Sequence, residues 1–275
     1  MKNFSFGQYY PVSSPIHSLD PRTKIILVIM YIVAAFVCNN VIGFAMLLVS
    51  VFAVIALSNM KLSIIIKSVK PLLFVFLFSF FINIFLTKGE TLLVDFLFIE
   101  IYLEGIINAF LILIRIIVLV MGASIFMTYT TTPISLTDGI ESLLSPLTRL
   151  GCEGVHTFSM MMSIALRFIP TLMDETTKIM AAQKSRGADF ESGGLIKRAK
   201  ALLPILIPLF SSSINRGRDL ANAMSCRCYR GGEGRTKFRV LKYHASDAVA
   251  IIIAVLFMAL IVVFNVIGFG YNFVK

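Results

Sequence analysis

The chain contains no tryptophan and only four cysteines in 275 residues, and charged residues make up just 15% of it. An ordinary globular domain has about 25% charged residues and about 45–50% apolar ones. Here 57% are hydrophobic, 24 of them phenylalanine, and the mean hydropathy is +0.88. A water-soluble chain of this length could not cover so much apolar side chain, so the composition points to an integral membrane protein. Four cysteines in so long a chain give no disulfide framework. The G-x-x-x-x-G-K-[ST] phosphate loop is also absent, which argues against ATP hydrolysis by this chain. Residues 1–24 lack the apolar h-region of a cleavable signal peptide, so the first span is expected to remain in the mature protein.

A membrane helix needs about 20 largely apolar residues to cross about 30 Å of hydrocarbon. Five stretches qualify or come close: 25–37, 41–57, 71–87, 105–129 and 248–270. The first two are short and separated by Cys38-Asn39-Asn40, a polar turn that suits a helical hairpin; Arg22 and Lys24 can snorkel to extend the first. Pro71 is expected in the first turn of the third span, where its missing N–H costs little. Net charge alternates along the chain. Segment 1–24 carries +2, 58–70 carries +3, 88–104 carries −3 and 130–247 carries +6, out of +10 overall. Positive loops stay cytoplasmic. This predicts an all-α, multi-pass cell-membrane protein of about five spans, N-terminus cytoplasmic and C-terminus external. Three regions follow: 1–129 with four spans, 130–247 in the cytoplasm, and 248–275 with the fifth.

The region 130–247 is neither plainly soluble nor plainly spanning. Phe158, Met161, Met162, Ala165, Ile169, Leu172 and Met173 recur at three- and four-residue spacings, which predicts one long amphipathic helix over 155–186. Pro170 should bend it without ending it. Ser185-Arg186-Gly187 reads as its close, with a cation in the last turn and a glycine cap. Residues 195–229 repeat the plan, with Leu202, Leu203, Leu206 and Phe210 on an apolar face beside Pro204 and Pro208, ending in Cys226-Arg227-Cys228. A shorter amphipathic piece, 134–147, precedes them. Methionine-rich faces repack easily, which suits either partner docking or packing on the protein's own membrane region.

Leu19-Asp20-Pro21-Arg22-Thr23-Lys24, the run from His156 to Pro170, Gln183 to Asp189 and Ala223 to Tyr229 together resemble the T-component (EcfT) of energy-coupling factor (ECF) type ABC transporters over nearly the whole chain. The resemblance implies a non-catalytic scaffold. Its coupling helices would dock on two ABC-type ATPase subunits through Ser185, Arg186, Gly187 and Cys226, Arg227, Cys228. Their apolar faces, through Met161, Met162, Ala165, Ile169, Leu202 and Leu206, would hold a substrate-binding S-component for vitamin uptake, one of several interchangeable ones. ATP and Mg would be used by the partner subunits, with no cofactor bound by this chain. Cys226-Arg227-Cys228 keeps the family's arginine but not its capping glycine, leaving Gly231 and Gly232 as later substitutes. Alternatives are a dedicated T-component for a metal ion or biotin, and a membrane-interface enzyme.

Arg115 stands mid-span, a candidate for a structural or functional charge, with Asn108 nearly on its helix face. Cys226 and Cys228 have no second Cys or His pair at zinc spacing, so no metal site is expected. Asp174 and Glu175 point about 100° apart on a helix and would not share an acid–base site; pairing of Asp174 with Lys178 is the simpler expectation. No catalytic constellation is evident. The basic residues from Lys197 to Lys242 suit anionic lipid or an acidic partner better than nucleic acid in a chain with membrane spans.

Overall fold

Asp20 and Pro21 determine where the first helix begins. The Asp20 carboxylate accepts from the Arg22 backbone N–H at 2.9 Å, and Pro21 occupies the first turn, where no donor is needed. The resulting α1 (Pro21–Val37) ends at the Cys38-Asn39-Asn40 turn, and α2 (Val41–Leu57) follows at once. The computed structural model describes residues 9–87, 91–96, 99–148, 154–190, 194–231 and 241–267. The chain divides into two compact units, one of Met1–Ser142 with Arg239–Lys275 and one of Leu143–Phe238.

In the first unit α1 packs against α9 (Ala245–Ile267) and α5 (Leu103–Ala123), and α2 packs against the same two. Ala34, Ala35, Leu47, Val51, Val118 and Ile261 form the shared core. Gly122 of α5 lies so close to α1 that a Cβ there would collide with the Tyr31 ring. The run after α2 differs from expectation. Helix α3 (Leu62–Val69) already occupies much of the presumed loop, passes through a 3-10 turn at Lys70–Leu72 and continues as α4 (Leu73–Leu86). Pro71 therefore sits in the 3-10 turn inside a longer helical run, not at a helix start. Its ring and missing N–H disfavour α-helix interior geometry, and the local tightening accommodates them.

Between α4 and α5 lies a short antiparallel hairpin, β1 (Leu92–Phe96) and β2 (Ile99–Tyr102), with an irregular register between Leu92 and Val94. Thr91 ties it to α5 through the Glu104 carboxylate, Oγ1 to Oε1 at 2.7 Å. The protein is otherwise helical in its described residues. Helix α5 runs into a π-helical turn, Ser124–Tyr129, and α6 (Pro133–Thr148) follows.

Among the described residues, four helical runs are long and apolar enough to cross a membrane: Leu62–Leu86, Leu103–Tyr129, Gly154–Ser185 and Ala245–Ile267. Helices α1 and α2 have 17 residues each, about 25 Å at 1.5 Å per residue, at the short end for a span. The third of the four long runs is the least apolar, with mean hydropathy 1.2 against 2.2, 2.7 and 3.1. It also carries Arg167, Asp174, Glu175, Lys178 and Lys184. Large apolar residues on the outer faces of α4 and α9, such as Phe74, Phe78, Leu256 and Val266, stand exposed, as lipid-facing side chains do.

The second unit is built on α7 (Gly154–Ser185) and α8 (Leu195–Cys226), 32 residues each. Both continue as helix past their internal prolines, Pro170 in α7 and Pro204 and Pro208 in α8, each of which removes one backbone donor. The pair is antiparallel. Glu175 in the second half of α7 meets Arg216 in the second half of α8 at 2.6 Å, so Asp174–Lys178 is not the ion pair formed there.

Candidate functional site

The two long helices end in the same backbone motif. At the end of α7, Gly187 N–H donates to the Lys184 carbonyl at 3.0 Å and Ala188 N–H to the Gln183 carbonyl at 3.0 Å, while Gly187 adopts φ 86°. At the end of α8, Cys228 N–H donates to Ser225 at 2.9 Å, Tyr229 N–H donates to Met224 at 3.1 Å, and Cys228 adopts φ 56°. This pairing of a 6→1 and a 5→2 bond around a left-handed residue is the Schellman motif. It satisfies carbonyls that a helix end otherwise leaves open. Cys228 itself thus takes the position glycine holds in α7, so Gly231 and Gly232 are not needed as substitutes. A cysteine there is strained, because its Cβ crowds the backbone in the left-handed region.

Each motif puts an arginine immediately before the left-handed residue. Arg186 and Arg227 are exposed, as are their flanking residues Ser185, Gly187, Cys226 and Cys228. Because the helices are antiparallel, the arginines lie at opposite ends of the pair. Arg227 stands level with the Met160–Arg167 stretch of α7. Arg186 lies about 20–25 residues further along that helix, roughly 30–40 Å away. Cys226 and Cys228 are free thiols, and among the described residues no group of three or more His, Cys, Asp or Glu side chains is arranged to hold a metal.

The apolar stripe foreseen along these helices is left largely open within the unit. Met161, Met162, Leu202 and Leu206 are 54%, 39%, 45% and 54% exposed, Ala165 is exposed, and Ile169 is half-buried. Ile205 is buried between exposed neighbours, so α8 turns only a narrow face inward. An open apolar stripe of this size on two facing helices is a contact surface in search of a covering.

At the Arg227 end the two helices enclose a cleft of about 610 Å³, lined among others by Arg167 of α7 and by Arg227, Tyr229 and Arg230 after α8. Neither Arg167 nor Arg230 stood out as a site residue in the sequence. They lie 63 positions apart, and only the antiparallel fold brings them together.

The Leu19–Lys24 stretch proves to be a junction. Lys24 is buried, donating to the Thr130 carbonyl at 2.8 Å and the His17 carbonyl at 3.2 Å. Asp247, at the start of α9 and also buried, accepts from the Asp20 N–H and the His244 N–H, both at 2.8 Å. Burial disfavours the charged form of Lys24, and the Asp247 and Asp20 carboxylates offset part of that cost. Arg22 donates to the Leu241 carbonyl at 2.8 Å and lies over the Tyr243 ring. The segment thus joins the start of α1, the approach to α9 and the residue after the π turn, where α6 is about to begin. Asp247 carried no sequence signal as a partner, since 227 positions separate it from Asp20. Burial holds the nearby His17 imidazole below its ordinary pKa, with its nitrogens bonded to Ser14 Oγ and the Tyr10 carbonyl.

Arg115 does not engage Asn108. Its guanidinium donates to the Cys38 carbonyl at 2.6 Å and to Asn39 Oδ1 at 3.3 Å, and lies over the Phe44 ring. Asn40 donates to the Phe264 carbonyl, and Asn265 donates back to the Val37 carbonyl. The charge holds the α1–α2 turn against α5, while the two asparagines hold it against α9. Cys38 and Asn40 are buried, so the polar backbone groups of this turn need protein partners.

A multi-pass, all-α membrane protein carrying a long amphipathic helical pair with two like-capped arginine ends is the class these features define. A family profile described as "Cobalt transport protein", CbiQ, matches residues 12–238. Curated relatives named "Energy-coupling factor transporter transmembrane protein EcfT" align almost end to end. One from Ruminiclostridium cellulolyticum is 45% identical, covering 98% of this chain and 100% of its own. One from Clostridium kluyveri is 46% identical over 94% and 96%, and one from Bacillus subtilis 41% over 95% and 98%. The chain belongs to the EcfT family, the transmembrane components of energy-coupling factor transporters.

Proposed function

We propose that the chain is the coupling scaffold of an ECF-type ABC importer. It passes the ATP-driven movement of two ATPase subunits to a separate substrate-binding S-component, for vitamin uptake. The observation that carries this reading is the repeated end of α7 and α8, where one backbone motif presents one exposed arginine at each pole of the pair. A guanidinium offers a planar fork of donors that holds carboxylates or backbone carbonyls at a mobile interface, as a lysine does not. The open methionine- and leucine-rich stripe between the poles suits a hydrophobic membrane partner. The chain has no phosphate loop of its own, so hydrolysis belongs to the partners.

Charge placement supports a cytoplasmic N-terminus, a cytoplasmic 130–247 region and an external C-terminus. In that topology α7 lies in the cytoplasm, in keeping with its charges and lowest hydropathy among the four long runs. The description of the matching profile as a cobalt transport protein favours, as a second reading, a dedicated component for a metal ion. Substrate choice in either case would reside in the S-component. The test is purification from membranes that co-express candidate ATPases. The wild-type chain is expected to retain two ATPase subunits, and Arg186→Glu combined with Arg227→Glu to lose them. Retention of both subunits by the double variant would remove the arginines from the docking role.

A further inference from the structure

The chain leaves the first unit within α6, after Ser142, and returns to it at Arg239. Inside that unit both connections are tied to Asp20–Lys24, the run at the head of α1. On the outgoing side Lys24 donates to the Thr130 carbonyl at 2.8 Å, just before α6 begins. The Tyr10 N–H donates to the neighbouring Tyr129 carbonyl at 3.0 Å, and Lys24 also holds the His17 carbonyl, so the segment before α1 is bound to the same turn. The Thr130 and Thr131 hydroxyls both donate to the Phe126 carbonyl, at 2.9 and 2.8 Å. A Cβ at Gly139 of α6 would stand 3.1 Å from Pro21 Cβ and 3.2 Å from Ile25 Cδ1, so α6 itself touches the head of α1. On the returning side Arg22 donates to the Leu241 carbonyl at 2.8 Å, and its guanidinium lies 4.8 Å from the centre of the Tyr243 ring. Asp247 then receives the Asp20 and His244 N–H groups.

Connecting segments ordinarily run over the surface and are the first parts of a fold to open. These two begin and end in a buried node instead: Asp20, Thr23, Lys24, Thr130, Thr131 and Asp247 are all buried. Burying an ammonium and two carboxylates is costly, and only a fixed geometry that satisfies them repays the cost. Moving any one of these groups leaves the others uncompensated, so the node opens as a whole or stays closed. That property matters in a chain that passes on movement. Slack at either connection would absorb a displacement of α7 and α8, whereas a fixed root delivers it to the membrane helices. We propose that Asp20–Lys24 is the anchor of the coupling movement, a single rigid node that holds both connections to the α7–α8 unit. Arg22 and Lys24 are its positioning residues, acting through the Leu241 and Thr130 carbonyls. The inference rests on the coupling role and adds the residues that keep the coupling tight.

The test follows Arg22→Gln, because the Arg22 side chain bonds to the returning connection. In nanodiscs holding the chain with two ATPases and an S-component, hydrogen exchange is read at two amides. One is His244, bonded to Asp247; the other is Thr130 on the outgoing side, bonded to the Ile125 carbonyl at 3.2 Å. A single node predicts about tenfold faster exchange at both, the scale of a lost hydrogen bond from a charged donor. Arg22→Lys keeps a donor and a cation for the Tyr243 ring and should restore protection at both. In proteoliposomes Arg22→Gln should lower uptake per ATP hydrolysed about threefold or more, the scale on which single residues shift coupling between sites. The KM for ATP and the retention of both ATPases should stay at wild type, and Arg22→Lys should recover the ratio. Faster exchange at His244 alone would mean two separate attachments and overturn the single node. Wild-type uptake per ATP with both amides loosened would overturn the anchoring role. Should Arg22→Gln fail to assemble, Tyr243→Leu at a 56% exposed position removes the stacking alone and must shift both readouts in the same direction. If wild-type uptake does not rise with ATP, the coupling reading fails, and the joint or separate loosening of the two amides still decides whether the node is single.

Discussion

Replacing Cys228 by glycine should strengthen the end of α8. Cys228 holds φ 56° in order to close the motif that presents Arg227. A side chain in the left-handed region costs about 1–2 kcal/mol, which glycine does not incur. Glycine loses more backbone entropy on ordering, about 0.5–1 kcal/mol. The net gain is therefore about 0.5–1 kcal/mol, confined to the last turn because the residue is exposed. Global melting would dilute so local an effect, so the suitable assay is native-state hydrogen exchange in nanodiscs. The amides to follow are those of Cys228 and Tyr229, which bond to the Ser225 and Met224 carbonyls. Local opening free energy sets their exchange, and the gain corresponds to roughly two- to fivefold slower exchange in Cys228→Gly. Cys228→Val, whose β-branch suits the left-handed region least, should exchange faster than wild type. Unchanged exchange in the glycine variant, or a valine variant as protected as wild type, would refute the strained cap.

Asp247→Ala removes the acceptor of two buried N–H groups and one of the two carboxylates that favour the charge on buried Lys24. It should cost about 3 kcal/mol in thermal unfolding, and adding Lys24→Met should recover part of that loss. Gly122→Ala drives a Cβ into the Tyr31 ring and should cost about 1–3 kcal/mol, relieved when Tyr31→Leu is added. Arg115→Met frees the turn carbonyl of Cys38, a residue only 1% exposed in the intact chain. It should raise the rate of maleimide labelling at Cys38, with unchanged labelling counting against the clamp. His17, held below its usual pKa by burial, contributes stability that is complete above pH about 6.5 and lost as pH falls below it. His17→Gln should flatten the pH dependence of the melting temperature across that range.

Local rules reached the helices and their ends because those features are local. A 3.6-residue apolar period marked α7 and α8 to within a few residues of Gly154–Ser185 and Leu195–Cys226. Arg186-Gly187 announced its own cap, since glycine is the usual left-handed residue. The same cap at Cys228 was hidden because cysteine has no preference for that conformation, and the helix geometry and its hydrogen bonds impose it. The hairpin at Leu92–Tyr102 lay inside what read as a plain acidic loop, its short alternation mixed with acidic residues. Pro71 suggested a helix start from its own chemistry, while the flanking apolar residues carried the helix across it. The junction of Asp20 and Lys24 with Asp247, and the cleft of Arg167 with Arg230, depend on chain crossing. No spacing in the sequence encodes that crossing, and Lys24, expected to snorkel to the interface, is instead buried and bonded to the Thr130 carbonyl.

The coupling role is tested most directly by measuring ATP hydrolysis and substrate uptake together. The setting is proteoliposomes holding the chain, its two ATPases and one S-component. With the wild-type chain, hydrolysis and uptake should rise together as ATP is added. With Arg186→Glu and Arg227→Glu, uptake should fall to background while residual hydrolysis no longer responds to substrate. Uptake at the wild-type rate in that double variant would contradict the assignment of the two arginine poles as the route by which ATP-driven movement enters this protein.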